Sequence, residues 1–212
     1  MPLCRYAFLV FIELTEFLRC PADHPEAHCV LVPLEMAGRA VVSGTIGCPA
    51  CQREYPVRQG IVRFGPRPAR DPVGAVPDPA ALQALLGIAS PGGYVVLVGS
   101  AAHAARELAP LLEGVHLVGI NAPREVAPGP HLTLLEAPEG IPLRSAIARG
   151  VVLGRDFAAA PWSHGSARVL LKGLRLVVLA DDVAVEGVEL VARAPGVWVG
   201  QKREEGGGKR EE

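Results

Sequence analysis

Two cysteines separated by two residues, in Cys48-Pro49-Ala50-Cys51, constrain this chain more than any other stretch. A tight turn with proline behind the first thiol lets both sulfurs face one point. A zinc ion at that point wants four donors in a tetrahedron, and one knuckle supplies two. The other two must be folded back onto it. The candidates lie upstream in Cys20-Pro21-Ala22-Asp23-His24-Pro25-Glu26-Ala27-His28-Cys29, where the Cys-Pro pair recurs. Cys20 is the expected third ligand. His24, at C-x-x-x-H spacing, is the first choice for the fourth because imidazole is a common zinc donor. Cys29, Asp23 and His28 follow in that order.

Half of the 212 residues are hydrophobic and only 5% are aromatic, so a sizeable core must be built mainly from Val, Leu, Ala and Ile. A net charge of −1 makes no global electrostatic case for nucleic-acid or membrane binding. The five cysteines are an odd number. With no convincing secretion signal, a reducing, cytoplasmic setting is expected, where metal binding is favoured over disulfides. The apolar run Tyr6 to Ile12 is short and is followed by Glu13 and Glu16, so residues 1–11 read as an N-terminal extension rather than a targeting segment. No run approaches the ~20 apolar residues of a spanning helix.

The chain then divides. Residues 12–64 read as a small β unit. A short helix over 12–19 leads into Cys20, a strand begins at Cys29, and Met36 to Arg39 turns. Ala40 to Gly47 pairs back, and Tyr55 to Val57 and Gly60 to Phe64 close the unit. A piece of about 50 residues buries little surface, so a metal staple would help it fold. Residues 65–79, rich in Pro and Gly, form a linker. Residues 80–201 alternate strands and helices, which implies a mostly parallel sheet. Helices are expected over Ala80 to Ala89, capped by Asp78-Pro79, then Ser100 to Leu112, Leu143 to Arg149, and one ending through Ser166 to Lys172. Strands are expected at Tyr94 to Gly99, Val115 to Ile120, His131 to Leu135, Gly150 to Leu153 and Leu174 to Leu179. A hairpin of Gly187 to Arg193 with Val197 to Gly200 closes the unit. Residues 202–212 are charged and glycine-rich, a composition that favours a disordered tail.

Two resemblances bear on these halves. Residues 14–64 resemble the zinc-ribbon family of methyltransferase activator subunits, partners of tRNA and release-factor methyltransferases. The shared features are Leu18-Arg19-Cys20-Pro21, the Gly47-Cys48-Pro49-Ala50-Cys51 knuckle, and Glu54-Tyr55-Pro56-Val57-Arg58-Gln59-Gly60-Ile61. The resemblance implies a structural zinc and a ribbon that masks an apolar strip on a methyltransferase. That partner would be its own Rossmann domain, by intramolecular docking, or another methyltransferase chain. The family's first knuckle is usually a second CxxC, and Asp23 stands at the equivalent position here. Residues 80–201 resemble the class I methyltransferase fold that binds S-adenosylmethionine, most closely at Ala167 to Ala180 and in the hairpin Val188 to Val199. By that resemblance Gly99, Ser100 and Asn121 are the cofactor contacts.

Three departures fall on that cofactor site. Its loop, Gly99-Ser100-Ala101-Ala102-His103, has one glycine where backbone N–H groups usually need several for close approach. Asn121 stands where an acid normally holds the ribose, and brings no charge-assisted bond. The crossover Asn121 to Pro130, with Pro123, Pro128 and Pro130, is too short and too proline-rich for the helix a parallel connection usually carries. The expectation is therefore a non-catalytic binding or scaffold protein, with no catalytic residues assigned. The alternative is an active S-adenosylmethionine-dependent methyltransferase with an unusual loop. Asp156, Ser163 and His164 do not make a hydrolase triad, since nothing sets a serine on a nucleophile elbow.

Overall fold

The computed structural model describes residues 10–68 and 71–204. The N-terminal half contributes strands β1 (Val10–Phe11), β2 (Val30–Ala37), β3 (Ala40–Gly47), β4 (Glu54–Arg58) and β5 (Ile61–Arg63), with one short helix, α1 (Ile12–Thr15). Helix α2 (Pro79–Leu86) begins as expected on Asp78, whose side chain accepts from the Ala80 and Ala81 amides. There follow β6 (Tyr94–Val98), α3 (Ala105–Leu108), β7 (His116–Ile120), β8 (Leu132–Glu136), β9 (Ala148–Leu153), α4 (Trp162–Val169) and β10 (Leu170–Val178). The hairpin β11 (Val188–Ala194) and β12 (Val197–Lys202) comes last.

All twelve strands join one sheet, ordered β1-β3-β4-β5-β8-β7-β6-β9-β10-β12-β11, with β2 on the outer side of β3. From β5 to β10 every pairing is parallel, and β12 and β11 are added antiparallel. The expected α/β class, with a small β unit before a mostly parallel sheet and a closing hairpin, is what forms. Seam strand β5 pairs with β8 through Ile61↔Leu134, Val62↔Leu135 and Arg63↔Glu136, so the two halves share one ladder.

Strand β6 explains the layering. Side chains alternate across a strand, and Val95 to Val98 are all fully buried. Val95 and Leu97 pack with Leu82 and Leu86 of α2 and with Ala101 and Ala105. Val96 and Val98 pack on the other face with Leu14 and Leu18 from the N-terminal half and with Trp162 and Val169 of α4.

Several expected helices are shorter or missing, each for a visible reason. The helix expected over Leu143 to Arg149 does not form, and Ala148 and Arg149 open β9 instead. Leu18 bridges Leu143, Arg19 N–H donates to Pro142 and Arg144 N–H to Phe17, and the Arg168 guanidinium takes the Ile141 and Leu143 carbonyls. The turn carrying Leu14 and Leu18 thus occupies the sheet face that helix would have covered. The expected 12–19 helix stops at Thr15 for the same reason. Leu170 to Lys172, expected in a helix, open β10 instead: Leu170 pairs with Ala148, and its carbonyl accepts from Lys202 Nζ at 2.6 Å. The Ser100 to Leu112 helix is reduced to α3 between two 3-10 turns, Gly99–Ala104 and Ala109–Leu111, the second holding Pro110. Val10 and Phe11, grouped with the extension, form β1. Residues 1–9, and 205–212 of the expected tail, lie outside the described residues. Among the described residues no helix is long and apolar enough to cross a membrane.

Strand β1 is tied in by His116. The Phe11 ring stacks on the imidazole at 4.8 Å, Tyr94 meets it edge-on at 6.1 Å, and its Nε2 lies 2.9 Å from Thr133 Oγ1. That hydroxyl also accepts from Phe11 N–H, leaving its own proton for a neutral imidazole. Burial, with help from nearby His131, pushes His116 down from 6.5 to about 4. The folded state therefore binds this proton less readily than the unfolded chain. Stability from this site is complete above pH 6.5 and declines as the pH falls from 6.5 toward 4, by up to about 3 kcal/mol. Urea unfolding at a series of pH values should show this slope, and His116→Gln should flatten it.

Candidate metal centre and cofactor cradle

The knuckle turn forms because Cys48 N–H donates to Arg53 O and Gln52 N–H to Cys48 O, each at 2.9 Å, with Gln52 at φ +61°. This presents the Cys48 and Cys51 thiols together at the end of β3. The chain leaving α1 delivers Cys20 and His24 to the same point. The donor atoms of Cys20, His24, Cys48 and Cys51 all lie within 4.8 Å of one another. Cys20 Sγ is 3.6 Å from Cys51 Sγ, and Cys48 Sγ is 3.4 Å from His24 Nε2. Zinc bonds of about 2.3 Å to sulfur and about 2.0 Å to nitrogen space tetrahedral donors by roughly 3.5–3.8 Å, so these residues fit a zinc ion. His24 Nδ1 donates to the Pro25 carbonyl at 2.7 Å, which leaves Nε2 its lone pair for a metal and fixes the ring.

The electrostatics also call for a cation. Burial opposes ionising Cys20, but the Tyr55 hydroxyl at 2.9 Å and the Ala22 amide outweigh it, and its thiol falls below the ordinary value. At Cys51 the Arg53 amide favours the thiolate, yet desolvation and the neighbouring Cys20 and Cys48 prevail and raise it. Several thiolates this close repel one another unless a divalent ion neutralises them. The other candidates for the fourth position stay out of the cluster. Burial pushes Cys29 up to about 12, His28 Nδ1 faces Arg144 at 3.2 Å, and Asp23 is exposed. Tyr55 is the contributor the sequence did not single out. It stood inside a recognised string, but its phenol's reach to Cys20 depends on how β4 packs.

The second predicted site lies at the ends of β6 and β7. Gly99 follows β6 at φ +63°, a conformation that suits glycine. The space a side chain would take there is held by the Phe157 ring, with Pro72 Cβ 3.3 Å away. Ser100 is 1% exposed, and among the described residues its Oγ has no hydrogen-bond partner. A methyl added at Gly74 would sit 3.1 Å from that oxygen, and one at Gly154 2.6 Å. Asn121 adopts φ +49° and is 2% exposed. Its amide is spent on the residue just past β8, with Nδ2 donating to Ala137 O at 2.6 Å and Oδ1 accepting Ala137 N–H at 2.9 Å. The segment expected to be a linker crosses this cradle. Val73 N–H donates to Asp156 Oδ2 at 3.0 Å, Pro72 is buried, and Asp71 pairs with Arg67 and Arg124 at 3.1 and 3.4 Å. The roles of Pro72 and Phe157 had no sequence signal, because neither belongs to a cofactor motif. Ser163 is buried and His164 exposed, while Asp156 is occupied by Val73. Asp181 and Asp182 face Arg155 and Arg193, each at 3.6 Å.

With this geometry in view, comparison with known proteins is informative for the first site. Residues 12–60 match the family model described as Trm112p-like protein. That Trm112-like region contains all four donors. Among solved structures, a chain in the complex between the Haloferax volcanii Trm112 methyltransferase activator and a methyltransferase is 13% identical. That match covers 59% of this chain and 90% of that one, with a TM-score of 0.45. An antibiotic-resistance methyltransferase, Kmr, is 12% identical over 59% of this chain and 93% of its own, with a TM-score of 0.43. An S-adenosylmethionine-dependent methyltransferase from Aquifex aeolicus is 15% identical over 58% and 87%, with a TM-score of 0.44. These scores lie below 0.5, and the α/β class of the sheet, a parallel core with an antiparallel hairpin at one edge, rests on its own strand order. No curated protein matches the chain.

Two measurements follow from this geometry. Purified protein should carry zinc that Cys51→Ser removes and Cys29→Ser does not. The first substitution, like chelation, should lower Tm by on the order of 10 °C. Gly99→Ala should destabilise by about 2–4 kcal/mol in denaturant titration, because it meets both a left-handed φ and the Phe157 ring.

Proposed function

We propose that this chain is a non-catalytic, methyltransferase-like binding protein that carries its own activator-type ribbon. The ribbon, residues 12–64, is held by structural zinc on Cys20, His24, Cys48 and Cys51. It docks in cis on the Rossmann-like unit, residues 80–201, with residues 65–79 as the connection. The metal supplies a crosslink and no reaction step: all four positions around it are taken by the chain, which leaves none open for substrate.

One observation carries the non-catalytic reading: the cofactor cradle is filled by the protein itself. Phe157 and Pro72 take the space at Gly99, residues 71–74 pass over Ser100, and the Asn121 amide is committed to Ala137. A nucleoside would have to displace a buried aromatic ring and a tethered segment, and no acidic side chain at Asn121 would reward it. Pairing of β5 with β8 supports docking in cis, since it consumes the edge of the parallel sheet that a separate ribbon would need.

A second reading, an active S-adenosylmethionine-dependent methyltransferase, is favoured by Ser100 Oγ, a buried polar atom without a partner just beyond β6. One titration separates the two. Isothermal calorimetry and thermal shift with S-adenosylmethionine up to millimolar concentration should give no saturable heat and no rise in Tm. Micromolar binding that Gly99→Arg abolishes would establish the enzyme reading instead.

A further inference from the structure

Each crossover in a doubly wound sheet normally lays a helix over one face. The connection from β7 to β8 does not, since Pro123, Pro128 and Pro130 keep residues 121–131 out of any helix. On the opposite face an analogous gap is closed by Leu14 and Leu18. Here nothing in the described chain closes it, and a cavity of about 430 Å³ remains between α3 and the start of β8. Its lining is largely apolar, with Ala109 and Val126 half-buried and Leu132 at its base, backed by the buried Ala102 and Ala105. The small alanines leave room that a packed helix would otherwise use.

The rim is polar and unevenly charged. His103 Nδ1 sits 3.6 Å from Glu125 Oε1, the one acid there. Arg106 also lines the opening, and among the described residues its guanidinium has no hydrogen-bond or ion-pair partner. His131 stands exposed beside it. A helix about 10 Å across would fill the volume with roughly one turn, too little to seat a partner's helix. Pockets for small ligands run from about 300 to 1,000 Å³ and join an apolar lining to a few polar groups.

We propose that this cavity binds a small amphipathic anion, with an apolar body on Ala109, Val126 and Leu132 and a carboxylate or sulfonate against Arg106. The site is separate from the cofactor cradle. It shares the loops after β6 and β7 with that cradle but none of Gly99, Ser100, Asn121, Pro72 or Phe157 lines it.

The test is a fluorescence titration of the full chain with 8-anilinonaphthalene-1-sulfonate. Saturable binding is expected, displaced by decanoate and at least tenfold less well by decanol or decylamine. Val126→Trp, which fills the cavity from its loop, and the exposed substitution Arg106→Glu should each weaken the probe at least tenfold. Leu34→Gln, in the exposed apolar row of β2 (Leu34 is 81% exposed), should leave binding unchanged. Should Val126→Trp fail to fold by circular dichroism, Arg106→Glu decides the matter. Absence of saturation, equal displacement by decanol, or a signal lost with Leu34→Gln and kept with Arg106→Glu would overturn the proposal. Added S-adenosylmethionine should not shift the titration, whichever reading of the cradle holds.

Discussion

Three residue pairs hold the architecture together: Ile61 with Leu134, Val62 with Leu135, and Arg63 with Glu136. A parallel ladder this short is weak by itself. It is reinforced by Phe64 N–H, which donates to Glu136 O at 2.8 Å, and by Arg63 and Arg67, which face the buried Glu136 carboxylate at 3.4 and 3.9 Å. Val62 and Leu135 then enter the same apolar cluster as Leu14, Leu18, Val96 and Trp162. Neither half has a complete core without the other on this face of the sheet.

The metal cluster and the seam are mechanically linked. Tyr55 touches Cys20 with its hydroxyl and Phe64 with its ring, at 2.9 and 4.8 Å. Phe64 directly follows the seam strand β5. Cross-linking Cys20 to the Cys48–Cys51 turn therefore braces β4 and β5, and also the chain that brings Leu18 onto the sheet. A small β unit that buries little surface of its own gains stability twice, from a crosslink and from a shared core.

The cradle and the cavity are two outcomes of one economy in the fold. Short connections replace two helices of a doubly wound sheet. Where the ribbon turn substitutes, the face is sealed and the chain 137–147 is held by backbone bonds to residues 17–19. Where nothing substitutes, the face stays open beside α3. The segment joining the halves must meanwhile cross the ends of the parallel strands, and it packs beside Gly99 and Ser100 just beyond β6.

What could be read from residues alone was local or periodic. The knuckle Cys48 to Cys51 announces a metal turn because its two thiols, separated by two residues, face one point and a second Cys-Pro recurs upstream. The apolar run Tyr94 to Val98 announces a strand buried on both faces, and Asp78-Pro79 announces a helix start. The string that begins at Glu54 carries the Trm112-like resemblance. The tertiary structure decided the rest. His24, the first choice by spacing, reaches the thiols ahead of Cys29 because the chain bends back after Ala22. Residues 143–147 lose their helix because a distant turn takes their backbone bonds. Pro72 and Phe157 fill the cradle although neither carries a motif. Spacing and alternation record only what a residue does with its sequence neighbours. Ligand choice, helix displacement and pocket occupancy are contests between segments far apart in the chain, and only packing settles them.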